Sequence, residues 1–131
     1  MALLEVNNLS LYYKTDRGPV HAVDGTSFSV KAGEALGVVG ESGSGKSSLA
    51  LALLRILPAN IHLYGGSVKV EGTEVMGLSN EEFRKKFRWK TLSMVFQGAM
   101  NSMNPVLRIG HQIAVSKRDL CGRQGCIQKS I

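Results

Sequence analysis

Eight consecutive residues combine the types and the spacing that bind a polyphosphate. Residues 40–47 read Gly-Glu-Ser-Gly-Ser-Gly-Lys-Ser, which fits the pattern G-x-x-x-x-G-K-[ST]. The glycines let backbone N–H groups curl around phosphate oxygens. Lys46 is expected to reach the β- and γ-phosphates, and the Ser47 hydroxyl is expected to bind Mg²⁺. We predict that the phosphate-binding residues are Gly40, Glu41, Ser42, Gly43, Ser44, Gly45, Lys46, Ser47 and Ser48.

The residues on either side of this loop favour the elements that such loops join. Ala35–Val39 is a short apolar run, typical of a buried parallel strand. Residues 48–57 are rich in leucine and alanine, which favour a helix, and Pro58 would end it. The sequence therefore predicts strand, glycine loop and helix in succession, with the positive end of the helix dipole directed at the anion.

Three further residues could contact a nucleotide. Tyr12 and Tyr13 lie upstream in a β-rich stretch, and the face of a tyrosine can stack on a purine base. From the residues alone, base stacking and an ordinary structural role for aromatic side chains in a strand are equally favoured. Gln97 follows the apolar run 91–96, and ligands usually bind at the C-terminal end of a parallel strand. From its position alone, an ordinary polar residue at a strand end is favoured over a ligand-binding role.

Composition limits the protein to a globular class. The chain has 131 residues, of which 44% are hydrophobic and 20% charged, as in folded domains. No apolar run is long enough to span a bilayer, and the first residues lack the pattern of a secretory signal, so we expect a cytoplasmic protein. The net charge of +6 is concentrated in the segment 84–90 and in the tail. A solvated helix face is the favoured interpretation of the segment, with nucleic acid or a lipid surface as alternatives.

The first half of the chain is otherwise β-rich. Strands are predicted at 3–7, 11–14, 20–23 and 26–30, with a turn at residues 16–19. A loop is expected over 59–66, since it contains Gly65-Gly66. Residues 67–71 and 73–75 should then form a hairpin across Gly72.

The second half is predicted to be helical, with one further strand. Ser79–Glu82 fits the capping box S-x-x-E, so a helix should begin there and bury Phe83 and Phe87. A strand over 91–96 and a short helix from Val106 toward Val115 should follow. Apolar periodicity ends at residue 116, and we expect the basic tail 116–131 to be disordered.

Three motifs taken together resemble one family. Residues 36–48, Met94-Val95-Phe96-Gln97 and the run Asn101–Pro105 resemble the ATP-binding subunits of ABC transporters, above all the oligopeptide, dipeptide and nickel importers. The resemblance covers residues 3 to about 115 and is more specific than the phosphate loop alone. It implies an α/β fold, in which a P-loop NTPase (RecA-like) core fragment carries an antiparallel β subdomain.

The resemblance also implies roles. Tyr13, in preference to Tyr12, would stack on the adenine of ATP. Lys46 and Gln97 would be the catalytic residues, and Ser47 and Gln97 the Mg²⁺ ligands, with Gln97 near the attacking water. The implied partners are the transmembrane permease subunits and a second nucleotide-binding subunit, without nucleic acid. The implied location is the cytoplasmic, inner face of the cell membrane, with the chain peripheral to it.

Three motifs of that family are not found in this sequence. They are an Asp-Glu pair after an apolar strand, a Leu-Ser-Gly-Gly-Gln helix start and a switch histidine. The only aspartate after Lys46 is Asp119, which follows polar residues. We therefore expect residues 1–115 to be the N-terminal part of the nucleotide-binding domain, able to bind ATP but not to hydrolyse it alone. The alternatives are a non-catalytic fragment that docks on the permease and, disfavoured by the few acidic residues after position 82, a small P-loop nucleoside kinase.

Overall fold

The computed structural model describes residues 2–98 and 103–114. The chain forms two compact units, Met1–Lys86 and Phe87–Ile131. The named elements lie in the first unit and are β1 (Ala2–Thr15), β2 (Gly18–Lys31), α1 (Lys46–Leu53), β3 (Ile61–Val70), β4 (Thr73–Glu74) and α2 (Asn80–Lys86). Within the described ranges, none of the helices has the length and apolar character required to cross a membrane.

The four strands form one antiparallel sheet in the order β2-β1-β3-β4. β1 and β2 make a long hairpin, closed by a two-residue turn between Thr15 and Gly18. This sheet confirms the predicted antiparallel β subdomain. The four short strands predicted over 3–30 are in fact two long ones. Where the alternation of apolar and polar residues is interrupted, the strands contain β-bulges and continue instead of ending.

The prediction of a loop over 59–66 was wrong from Ile61 onward, since β3 begins there. Gly66 is needed for a close approach between strands and not for a turn. It has a φ of 115°, and a Cβ on it would lie 2.6 Å from the carbonyl oxygen of Asn8 in β1. Asn8 itself has a φ of 50° at a register shift of β1. The glycine pair thus allows β3 to pair across an irregular part of β1.

The core lies on one side of the sheet and is apolar. It is built from valine and leucine side chains of three strands, closed by Val75 and by Phe83 of α2. Among the described residues, none of the buried side chains is polar or charged. The residues buried from the three strands are Val6, Leu9, Leu11, Val23, Val68 and Val70.

Helix α1 packs against β1 and β2 and is anchored at its C-terminal end. The Tyr64 hydroxyl donates a hydrogen bond of 2.8 Å to the carbonyl oxygen of Ala52, which is fully buried. The helix stops at Leu53 instead of continuing to residue 57, because Arg55 adopts a left-handed φ of 53°. The Arg55 guanidinium then donates to the carbonyl oxygens of Val75 and Leu78 at 3.0 and 2.8 Å.

Helix α2 begins with the predicted capping box. The Ser79 hydroxyl accepts from the Glu82 backbone N–H at 3.2 Å, and the Glu82 carboxylate accepts from the Ser79 backbone N–H at 3.1 Å. These bonds confirm the prediction from the S-x-x-E pattern. Phe83 is buried below the guanidinium of Arg55, whose central carbon lies 5.2 Å from the ring centroid.

Two predicted strands are not formed. Residues 35–39, expected as a buried parallel strand, have no regular structure and are exposed, with 97% of Val39 accessible. Residues 91–96 contain only an isolated bridge between Arg88 and Leu92. A parallel strand needs a neighbouring strand for its backbone hydrogen bonds. The sheet of the described residues is antiparallel throughout, so these apolar runs have nothing to pair with.

The second unit has little regular structure in its described part. Residues 109–114 are helical, three residues later than the predicted start at Val106. Gln97 lies in an exposed turn, followed by Gly98 with a φ of 75°. Asn101 and the predicted disordered tail 116–131 fall outside the described residues.

Candidate functional site

The predicted phosphate loop closes on itself through Lys46. Its ammonium donates hydrogen bonds to the carbonyl oxygens of Gly40 and Glu41 at 2.7 and 2.5 Å, and to the Ser44 hydroxyl at 3.0 Å. Residues 40–46 therefore form a ring whose two ends are joined by a cation. A positive charge held over a curled backbone attracts an anion.

Helix α1 starts where the ring ends. Gly45 is its N-cap, with a left-handed φ of 87°, and the first helical hydrogen bond runs from the Leu49 N–H to the Gly45 carbonyl at 2.8 Å. The first N–H groups of a helix have no partner within it and carry a partial positive charge. The helix therefore adds its electrostatic attraction to that of the Lys46 ammonium.

The loop is seated directly on strand β2. A Cβ at Gly45 would lie 2.0 Å from the carbonyl oxygen of Ala22. Two backbones this close leave no room for any side chain, so the motif glycine here serves packing as well as its left-handed φ. The β1–β2 hairpin is thus the platform that fixes the phosphate loop.

A cavity of about 390 Å³ opens between this loop and the hairpin. Gly43 to Ser48 form one wall, and residues of β1 and β2 form the other. Of the predicted phosphate-binding residues, Gly40, Glu41 and Ser42 do not line it, although two of them hold Lys46. The lining residues are Tyr13, Val20, His21, Ala22, Gly43, Ser44, Gly45, Lys46, Ser47 and Ser48.

The two tyrosines differ in their surroundings. Tyr13 is half-buried and lines the cavity together with the phosphate loop. Tyr12 lies outside that lining; its ring stacks on His21 with centroids 3.8 Å apart, and its hydroxyl donates to Asp24 at 2.5 Å. That hydrogen bond to a carboxylate raises the pKa of the Tyr12 phenol. The structure therefore brings Tyr13, and not Tyr12, to the phosphate loop.

A magnesium ion at this site would need oxygen ligands. Ser47 lines the cavity from the first turn of α1, which contains no acidic residue. In the part of the chain that the structure describes, no three His, Cys, Asp or Glu side chains are grouped so as to hold a metal ion. One hydroxyl together with phosphate oxygens is a donor set that suits Mg²⁺, which binds through few protein ligands and the substrate phosphates.

Gln97 belongs to the second unit. It is exposed, and the segment 93–96 before it has no regular structure instead of the expected strand. Its predicted place beside Mg²⁺ and the attacking water stays a prediction.

Three lining residues, Val20, His21 and Ala22, were not predicted as site residues. The predicted turn at residues 16–19 could have identified them, because the turn fixes which residues of the two strands lie opposite each other. Counting back from the pair Thr15 and Gly18 brings Tyr13 opposite Val20. Any base-stacking role for Tyr13 therefore also brings this part of β2 to the site.

Comparison with known proteins assigns the family. The profile of the ABC transporter family matches residues 23–125, which extends ten residues past the domain boundary predicted at 115. The oligopeptide transport ATP-binding protein OppD of Escherichia coli is 46% identical over 112 residues, 86% of this chain and 33% of that protein. A putative peptide import ATP-binding protein of Brucella abortus is 45% identical over 123 residues, 94% of this chain and 37% of that protein.

The chain thus spans about a third of the length of these relatives. The matched region begins inside β2 and includes the whole phosphate loop and α1. It covers well over half of the chain. The α/β P-loop NTPase class predicted from the sequence follows from this match, and the chain belongs to the ABC transporter family.

Proposed function

We propose that this chain binds ATP with Mg²⁺ as the N-terminal part of the ATP-binding subunit of a peptide-type ABC importer. The observation that carries the proposal is the shared cavity, in which Tyr13 and the phosphate loop face the same space of about 390 Å³. That volume lies in the range of small-molecule sites. The peptide class rests on the names of the relatives, which are oligopeptide transport and peptide import ATP-binding proteins.

Each end of the nucleotide has a receptor of suitable chemistry. The adenine would stack on Tyr13, and the β- and γ-phosphates would sit against the N–H groups of Gly43 to Ser48. Lys46 would exchange hydrogen bonds to the loop for bonds to phosphate oxygens, which are stronger because both partners are charged. Ser47 would hold Mg²⁺, which neutralises phosphate charge in such sites.

Gln97 is proposed as the second Mg²⁺ ligand, next to the attacking water, and as the link to the membrane subunits. The proposed partners are permease subunits and a second ATP-binding subunit, at the inner face of the cell membrane. The second unit exposes apolar side chains that suit a protein partner. They are Val95, Val106, Leu107, Ile109 and Ile113.

The test is nucleotide titration by calorimetry in the presence of Mg²⁺. Lys46→Ala should weaken ATP binding about 10- to 100-fold, the equivalent of losing one or more hydrogen bonds between charged groups. Lys31→Ala is the matched control, since it removes an exposed lysine outside the cavity. Equal affinities of wild type and Lys46→Ala would refute the proposal.

A docking fragment without a nucleotide role is the second candidate, favoured by the apolar side chains that the second unit exposes. Capture of the permease by the chain, with and without ATP, separates the two. Association that does not change with ATP or with Lys46→Ala supports the docking fragment.

A further inference from the structure

Three side chains on the β1–β2 hairpin form a polar cluster at the edge of the cavity, which one of them, His21, also lines. The Tyr12 and His21 rings are stacked, with 3° between their planes. The Tyr12 hydroxyl donates to one oxygen of Asp24 at 2.5 Å, and His21 Nδ1 lies 3.7 Å from the other. The His21 and Asp24 side chains are 51% and 64% exposed, so the apolar core does not account for this arrangement. We call these residues the hairpin cluster.

The hairpin cluster spans an irregular part of the strand pairing. Leu11 pairs with Val23, but Tyr12 pairs with His21, which leaves Ala22 as an extra residue in β2. The pairing shifts again between Leu9 and Leu11, on the side of Asp24. Bulges of this kind re-aim the strand next to binding sites. Tyr12 reaches across from β1 and contacts β2 on both sides of Ala22.

The bulged residue is the one that touches the phosphate loop. The Ala22 carbonyl oxygen occupies the space that a Cβ atom at position 45 would need, and so it lies against Gly45. Ala22 also lines the cavity, as do Val20 and its cross-strand partner Tyr13. The bulge therefore connects the part of the cavity wall that contains Tyr13 with the part formed by the phosphate loop. Pairing Tyr12 with Ala22 instead would shift β2 by one residue and turn its side chains to the other face.

We propose that Tyr12, His21 and Asp24 act as positioning residues: they hold the bulge at Ala22 and thereby set the spacing between the Tyr13 ring and the phosphate loop. The inference rests on the proposed function, in which ATP spans both. A ligand that uses the two ends together depends on their spacing, whereas one that uses the loop alone does not.

The experiment compares ATP with inorganic tripolyphosphate, both with Mg²⁺, on the full 131-residue chain. Tyr12→Phe keeps the ring on His21 and removes the hydroxyl bound to Asp24. It should weaken ATP binding about 5- to 10-fold, the loss expected for one ordinary hydrogen bond, because this one is exposed to solvent. Tripolyphosphate binding should change less than about twofold, because that ligand has no base to align.

Two further variants make the result specific. Asp24→Asn should act in the same direction as Tyr12→Phe, and in a Tyr13→Ala background Tyr12→Phe should change ATP affinity less than about twofold. The matched control is Ser27→Ala, which removes the hydrogen bond from Asn8 N–H at another shift of the same hairpin. Circular dichroism and urea unfolding show that each variant is folded.

The outcomes separate the two proposals. ATP affinity unchanged in both Tyr12→Phe and Asp24→Asn overturns the positioning role. So does an equal loss for ATP and tripolyphosphate, which would mean general damage to the loop. A wild type that binds neither ligand refutes the proposed function instead, and the inference falls with it.

Discussion

Substituting two glycines of the phosphate loop tests how the loop is seated on the hairpin. Gly43 and Gly45 have similar left-handed φ values of 81° and 87°. A Cβ at Gly43 would meet nothing within 4 Å, whereas at Gly45 it would lie 2.0 Å from the Ala22 carbonyl oxygen. The pair Gly43→Ala and Gly45→Ala therefore shares the dihedral cost. The main difference between the two variants is the contact with Ala22, to which the N-cap position of Gly45 adds a smaller one.

The magnitudes follow from these two terms. Alanine in the left-handed region costs about 1–2 kcal/mol, and both variants carry that cost. Gly45→Ala adds an overlap that can be relieved only by moving backbone, and overpacking of this kind costs about 1–3 kcal/mol. Because the loop is exposed, it can lift off β2 without unfolding the sheet. The additional cost should therefore appear mainly as lost ATP affinity, about 5- to 140-fold beyond that of Gly43→Ala.

The assay is calorimetric titration with ATP and Mg²⁺, with urea unfolding of the same samples. We expect Gly45→Ala to bind more weakly than Gly43→Ala, with similar unfolding midpoints for the two. Equal affinities would mean that the contact between Gly45 and Ala22 does not constrain the bound loop. In that case the hairpin would not be the platform of the site.

Three further predictions concern the fold. Phe83→Ala removes a fully buried ring and should lower the free energy of unfolding by about 3–5 kcal/mol, whereas Phe96→Ala, at a half-exposed position, should change it by about 0.5 kcal/mol or less. Ser79→Ala should destabilise the protein by about 1 kcal/mol in urea unfolding, because it removes the N-cap of α2. Hydrogen bonds from the Ser79 hydroxyl and N–H hold the pKa of Glu82 below its usual 4.5. The contribution of the ionised Glu82 carboxylate to stability is therefore present above pH 4.5 and is lost as the pH falls through the lower pKa of the folded state. The urea midpoint of wild type should accordingly fall more on acidification below pH 4.5 than that of Glu82→Gln.

Local sequence patterns predicted the parts whose geometry is set locally. The capping box of α2 needs only residues three apart, and the phosphate loop needs only its glycines and Lys46. The two tyrosines could not be separated by such patterns, since both fit a strand next to a nucleotide. Their difference depends on the cross-strand register of the hairpin, in which Tyr13 pairs with Val20 and Tyr12 pairs with His21.

Patterns that depend on distant partners were misread for a physical reason. The run 35–39 has the composition of a buried parallel strand, but a strand forms only when a neighbour accepts and donates its hydrogen bonds. Gly65-Gly66 has the composition of a turn, but close approach of β3 to Asn8 also requires glycine. In both cases the composition is compatible with more than one structure. Which structure forms depends on whether a neighbouring strand is present to pair with the segment.

The phosphate loop keeps its shape although residues 35–39, predicted as the strand before it, do not form a strand. The loop is closed by Lys46 through its bonds to Gly40 and Glu41, and it rests on Ala22 through Gly45. None of these contacts involves residues 35–39, which are exposed. The contacts that hold the loop in this chain thus come from Lys46 at the start of α1 and from the β1–β2 hairpin. It follows that substitutions in the hairpin should disturb nucleotide binding by this chain more than polar substitutions at Val38 or Val39.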